Sequence, residues 1–260
     1  MSPSKLLFSL FISVSIFSAT CHPPAHVTKV DVQYVEMNKN NAQKDSATDA
    51  ILLPYKDSLD KLMNVVIGHT DVEMPKEVGK TETLLGNFMC DLCLARINSP
   101  ETKNAIGLGG DMCLFNNGGI RSSLPKGDLT RKNIFELMPF DNELDIVTIS
   151  GKQMWNLLRF VAMSGGEPMA GLRLGVTSEK IPGTISIQGQ LFDSTKTYNI
   201  VTSDYLAYGG DKMDFFKNPI KLTTTGIKIR DAILQYCDEQ TKQGKTLTAK
   251  LDGRFYYETR

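Results

Sequence analysis

Three short stretches of the chain hold residue types that could meet a polar, ring-bearing ligand. The first, "FNNGGIRSSL" (115–124), runs from an apolar segment into two amides, two glycines and an arginine. Gly118 and Gly119 tolerate positive φ and, lacking Cβ, let backbone N–H groups approach a ligand closely. Asn116 offers a donor and an acceptor, and Arg121 a rigid fork suited to carboxylate, phosphate or sugar oxygens. The same residues also make a tight turn with a solvated arginine. The second stretch, "SDYLAYGGDKMDFF" (203–216), places Tyr205 six residues before Asp211, with Gly209 and Gly210 between them. An aspartate there can accept from vicinal hydroxyls, the pair a ribose presents, or can cap a turn. The third, "LMPFDNELD" (137–145), sets Phe140 in a Pro-bounded loop, either as a core plug or as a face for stacking. Together the three suit an aromatic heterocycle carrying a hydroxylated sugar.

The elements that must position these residues read as a mixture of helices and strands. Apolar spacing predicts helices over 84–97, 152–163 and 227–241, and strands over 112–115, 145–149, 184–187 and 198–202. Alternation of Val30, Val32 and Tyr34 with polar residues predicts a further strand, and the polar run 37–49 an exposed loop or linker. Pro54 fits the first turn of a helix whose face carries Tyr55, Leu59, Leu62, Met63 and Val66, with Gly68 as its stop. There is neither a regular βα alternation nor the Gly-rich first turn of a dinucleotide-binding unit. The expected class is therefore α+β with mixed sheets. At 260 residues and 41% hydrophobic content the chain can bury a sizeable core, and its 29 basic and 29 acidic residues leave no global field for a nucleic acid. Cys90 and Cys93 form a C-x-x-C within an apolar helical pattern, without a second such pair or a histidine at zinc spacing, so core packing is expected and no metal site.

The blocks "ETLLGN", "FNNGGIRSSLPKGDLTRKNIFELMPFDNELDIVTISGKQM" and "YNIVTSDYLAYGGDKM" resemble, in order and spacing, the C-terminal domain of the 5′-nucleotidase family, which includes UDP-sugar hydrolases and 2′,3′-cyclic nucleotide phosphodiesterases. The resemblance runs from about Val27 to Phe255. It implies a nucleoside-binding domain in which Phe140 and Tyr205 sandwich the base, Asp211 takes the ribose hydroxyls, and Asn116 and Arg121 add polar contacts. Asn117 departs from the family's commoner glycine, Tyr205 from its phenylalanine, and an arginine often found before the E-T-x-L-G-N block is unmatched, with Lys80 in that region.

In the family, phosphate-ester hydrolysis falls to a separate N-terminal domain with two metal ions that activate water and stabilise the leaving oxygen. The chain carries three histidines, His22, His26 and His69, and no D-x-H or G-N-H cluster. No G-x-S-x-G or P-loop offers another chemistry. The expectation is a nucleoside- or nucleotide-binding domain inactive alone, paired with a separately encoded metallophosphatase that supplies two divalent metals. The alternatives are a stand-alone nucleoside-binding protein and a structural surface lipoprotein. Residues 1–20 read as a secretory signal with an apolar stretch from Leu6 to Phe17, and "FSATC" resembles a lipobox that would acylate Cys21. The expected organisation is thus signal peptide 1–20, tether and first strand 21–49, and the nucleotidase-like domain 50–260, held outside the cytoplasmic membrane, in the periplasm or at the cell surface, by a lipid anchor.

Overall fold

The computed structural model describes residues 29–34, 36 and 45–259. The signal segment, Cys21, His22 and His26 lie outside the described residues. The chain divides into two units, 1–51 and 52–260. In the first, residues 29–34 are exposed and form no strand, because alternation alone does not make a strand without a partner to hydrogen-bond.

Helix α1 spans Ser46–Met63. It begins eight residues before Pro54 because Asp45 caps it: its Oδ1 accepts from Ala47 N at 3.0 Å, and its Oδ2 from Thr48 Oγ1 at 2.9 Å. Pro54 therefore sits inside the helix rather than in its first turn, and Val66 and Gly68 belong not to its face and stop but to strand β1 (Val66–Thr70).

The remaining elements are α2 (Leu84–Asn98), α3 (Pro100–Ile106), β2 (Met112–Leu114), β3 (Gly127–Thr130), α4 (Arg131–Leu137), β4 (Glu143–Ser150), α5 (Gly151–Ser164), β5 (Met169–Ala170), β6 (Leu172–Val176), β7 (Pro182–Ile187), β8 (Gln190–Leu191), β9 (Thr197–Ser203), α6 (Asp204–Ala207), β10 (Lys221–Lys228), α7 (Ile229–Lys242) and β11 (Phe255–Tyr257). Hydroxyl caps fix several helix starts, Ser99 on α3 and Ser203 on α6 among them. Thr83 caps α2, while Thr130 with Asn133 and Ser150 with Gln153 close capping boxes on α4 and α5.

A five-stranded sheet in the order β10-β4-β9-β2-β5 forms the centre, with β2 parallel to β9 and the other pairs antiparallel. Its period-2 alternation divides the core. Leu144, Ile146, Cys113 and Val201 face α2, α4 and α7, whereas Val147, Ile149, Met112, Leu114 and Ile200 pack with α5 and with the second sheet, β11-β6-β7-β8. Cys90, Cys93, Cys113 and Cys237 are free and buried, and burial pushes the Cys93 and Cys113 thiols well up and that of Cys237 to about 12. They behave as small hydrophobes.

Asp145 interrupts this apolar pattern. Its side chain is buried on β4 and neither carboxylate oxygen has a hydrogen-bond partner. Burial, with Asp204 and Glu143 adding repulsion, raises its carboxyl to about 6. A carboxyl raised in the folded state binds its proton more tightly there than in the unfolded chain, so the contribution of Asp145 to stability is fully present below about pH 4 and is lost as pH rises through about 6. The expected loss is roughly 1–3 kcal/mol. Urea midpoints of the parent should fall more steeply across that window than those of Asp145→Asn; equal slopes in the two proteins would remove Asp145 as a cause.

Candidate functional site

The central sheet delivers the three sequence stretches to one end. β2 and β9 run parallel, so the residues after them, Phe115–Asn116 and Asp204–Tyr205, emerge on the same side. β4 runs the other way and pairs Leu144 with Ser203, which brings the loop before it, with Phe140 and Asn142, to that edge. The pairing of Lys228 with Glu143 adds the start of α7. Loops at the carboxyl ends of parallel strands are a recurrent place for ligands in sheet proteins.

A cavity of about 450 Å³ opens there, lined among others by Asn116, Gly118, Gly119, Arg121, Phe140, Tyr205 and Asp211. The structure thus brings together all five side chains singled out from the sequence. Phe140 and Tyr205 remain 44% and 51% exposed, so Phe140 is not a core plug and both rings have faces available. The Arg121 guanidinium lies 5.7 Å from the centre of the Phe140 ring and donates to the Gly118 carbonyl at 3.2 Å. It lies against the loop while remaining exposed to solvent.

Asp211 forms the hub of the polar wall. Asn116 Nδ2 donates to its Oδ2, and the Tyr205 hydroxyl donates to its Oδ1 at 2.9 Å. Tyrosine therefore keeps the ring and adds an anchor that phenylalanine would lack. A carboxylate has about four acceptor positions, so two remain for hydroxyls of a ligand. Asp211 itself adopts φ 49°, the left-handed region that costs a non-glycine residue energy and is held by its surroundings.

The glycines act differently from the expectation of positive φ. Neither Gly118 nor Gly119 adopts it; a Cβ on Gly119 would come within 2.7 Å of Asn116 Oδ1. Gly209 does, at φ 89°, and a Cβ on Gly210 would meet the Tyr205 ring at 2.5 Å. Asn117 points away from this cavity's lining and binds Glu167, donating from its backbone N at 2.9 Å and its Nδ2 at 2.8 Å. Burial raises the Glu167 carboxyl nonetheless. Lys80 is exposed and outside the cavity lining, so it replaces no arginine contact there.

Sequence reasoning missed three supports. Arg230, at the start of α7, donates to the carbonyls of Met138 (3.3 Å) and Phe140 (3.4 Å), pairs with Asp141 and stacks 4.4 Å from the Phe135 ring centre. That brace fixes the Phe140 loop, and the Arg230 hydrogen bond holds the Asp141 carboxyl below its usual range. Asn142 lines the cavity with its Nδ2 donating to Asp204 Oδ1 at 2.6 Å, and Ser203 caps α6. The serine and asparagine stood in the quoted stretches, whereas Arg230 lies 90 residues from Phe140 and carried no local signal.

The cavity lining contains no histidine, cysteine or lysine, and among the described residues no group of three or more His, Cys, Asp or Glu side chains is placed to hold a metal ion. His69, on β1, pairs instead with Asp128 at 2.8 Å. The arrangement can stack a ring, accept from a diol and donate to anionic or carbonyl oxygens.

Comparison with known proteins agrees with this geometry. The family model "5′-nucleotidase, C-terminal domain" matches residues 66–218. The chain belongs to that family. Its similar relatives include the trifunctional nucleotide phosphoesterase protein YfkN of Bacillus subtilis, 27% identical over 77% of this chain and 14% of the relative. Protein UshA of Escherichia coli is 24% identical over 74% of this chain and 34% of its own length. The crystal structure of a 5′-nucleotidase precursor from Thermus thermophilus superposes with a TM-score of 0.68 at 26% identity, covering 84% of this chain and 44% of that one. The chain therefore spans less than half the length of each of these relatives.

Proposed function

We propose that this chain is the nucleoside-recognition component of a 5′-nucleotidase-type phosphohydrolase that works outside the cytoplasm. The observation that carries this reading is the convergence of Phe140, Tyr205, Asp211, Asn116 and Arg121 on one cavity. The two rings stack the base, the free acceptor positions of Asp211 take the ribose hydroxyls, and Asn116 and Arg121 orient polar edges. This chain's residues bind and position; hydrolysis belongs to a separate two-metal phosphatase polypeptide, whose ions activate water and stabilise the leaving oxygen. The leader and the acylated Cys21 would hold the assembly at a membrane; among the described residues no helix is long and apolar enough to cross one.

Calorimetric titration of the chain with adenosine and AMP should give saturable binding of both, and incubation with AMP and Mn²⁺ should release no phosphate. Phosphate release by the pure chain would overturn the division of labour, and absence of binding to either ligand would remove the nucleoside site.

A further inference from the structure

The cavity between Phe140 and Tyr205 does not end at Asp211. Asn116, Gly118 and Asp211 also line a second cavity, of about 340 Å³, together with Phe160, Glu167 and Lys212. Phe160 and Lys212 in turn line a third, of about 410 Å³, with Arg159, Met163 and Phe215. The shared walls make a path from the Asp211 carboxylate to the Arg159 guanidinium. Helix α5 and the turn Asp214–Phe216 hold its far end, where the Phe160 and Phe215 rings meet edge to face with centroids 5.4 Å apart.

That far end is positively charged. Arg159 and Lys212 are exposed, and among the described residues neither makes an ion pair or a side-chain hydrogen bond. Asp214, the carboxylate of the third cavity, is already paired with Lys217 at 2.7 Å. Glu167, in the connecting cavity, accepts at Oε2 from Asn117 N and Nδ2. Lys212 adopts φ 64° directly after Asp211 at φ 49°. Two successive non-glycine residues in the left-handed region cost energy that their surroundings must hold, a cost found at ligand clamps.

We infer that the chain recognises nucleotides that carry a phosphoryl group on the ribose 3′-oxygen besides the 5′-phosphate, and that Lys212 and Arg159 bind the 3′ group; this deepens the reading given under Proposed function and rests on it. With the base between the two rings and the 5′ end left for the phosphatase polypeptide, it is a substituent of the ribose diol that passes Asp211 into the second cavity. The 3′-oxygen is the one through which ribonucleotides are joined, so a 3′-monoester and a 3′–5′ diester present the same anionic oxygens there. Asp211 keeps the 2′-hydroxyl as a donor, while the Lys212 ammonium and the Arg159 fork donate to the phosphoryl oxygens. No bond of the 3′ group is broken; it is a handle for binding.

Calorimetric titration of the full chain with AMP, adenosine 3′,5′-bisphosphate and 5′-phosphorylated diadenylate tests this. The bisphosphate, the dinucleotide or both should bind roughly tenfold more tightly than AMP at low salt, the gain expected of two exposed ion pairs, and the advantage should shrink as salt rises. An advantage confined to the bisphosphate identifies the monoester as the ligand, and one shared by or confined to the dinucleotide admits the diester. Arg159→Gln/Lys212→Gln should bind all three ligands with one affinity. Lys212 borders Asp211, so Arg159→Gln alone, which touches neither the first nor the second cavity, should lose part of the advantage. Equal affinity of the parent for all three ligands, or an advantage that persists in the double variant, would overturn the assignment and leave the nucleoside site standing. A parent that binds none of the three defeats the nucleoside site, and the 3′ subsite with it.

Discussion

Replacement of both Phe140 and Tyr205 by alanine should abolish measurable adenosine binding while leaving the fold intact. Both rings are about half exposed and line the same cavity, so their removal opens little core. Base stacking on an aromatic side chain contributes roughly 1–3 kcal/mol, which for two rings amounts to at least a tenfold loss and up to about four orders of magnitude. Tyr205 has a second role that separates it from Phe140: its hydroxyl fixes Asp211 Oδ1. Tyr205→Phe should therefore keep stacking and lose only the modest part that comes from orienting the carboxylate, about 1 kcal/mol. Calorimetry with adenosine and with the free base distinguishes the two effects. The hydroxyl matters only for the ligand that carries ribose, so an equal loss for both ligands would detach Asp211 from sugar recognition.

Arg254→Ala should be the most destabilising of the substitutions considered. The guanidinium is buried and donates to both oxygens of Asp91 (2.8 and 3.0 Å), both of Asp252 (2.9 and 2.8 Å) and the Met169 carbonyl (2.7 Å). Glu82, itself nearly buried, lies 3.9 Å away and accepts from Asp252 N, Gly253 N and Asn87 Nδ2. Burial works against the charged arginine, but the hydrogen bonds to Asp252 and Asp91 outweigh it and raise its pKa further. Truncation leaves three carboxylates without their common cation and frees the strand that places β11 beside β6. Breaking a buried pair costs about 3–5 kcal/mol, and the half-exposed Asp91 points to the lower end. That is a large part of the roughly 5–15 kcal/mol typical of a folded domain. Urea unfolding should show the loss, and Arg254→Lys should recover only part of it because an ammonium cannot bridge two carboxylates with a planar fork. A midpoint unchanged in Arg254→Ala would assign the cluster to the surface rather than to stability.

The two sets of residues illustrate how differently information is stored along the chain. The helices α2, α5 and α7 and the strands β2, β4, β7 and β9 lie within a few residues of where their apolar residues predict them: α5 and α7 bury one face at helical spacing, while α2 and the central strands β2, β4 and β9 are buried on nearly every side and stand out as apolar runs. The site's five side chains were legible for another reason. Their neighbours are turn residues and glycines whose backbone demands are local, and the family resemblance joined the three stretches ahead of the fold.

Where the solvent side had to be inferred without a buried face, the sequence reading failed. Residues 29–34 alternate like a strand but have no partner among the described residues. The start of α1 follows from the Asp45 cap rather than from Pro54, and its apolar side looks like a core face although none of it is buried. Periodicity reports that a face is apolar, not what covers it.

By itself, then, the sequence determined the α+β class, the principal elements and the residue types that line the candidate cavity, since those depend on local spacing and on short motifs. Only the tertiary structure decided that β2 and β9 emerge on one side and that Asp211 is shared by Asn116 and Tyr205. It also decided that Arg230 braces the Phe140 loop across 90 residues and that Asp145 is buried without a partner. Each of these depends on pairing between distant segments, and the free energy of such a contact is set by the register and burial of the whole sheet rather than by the residues on either side of it in the chain.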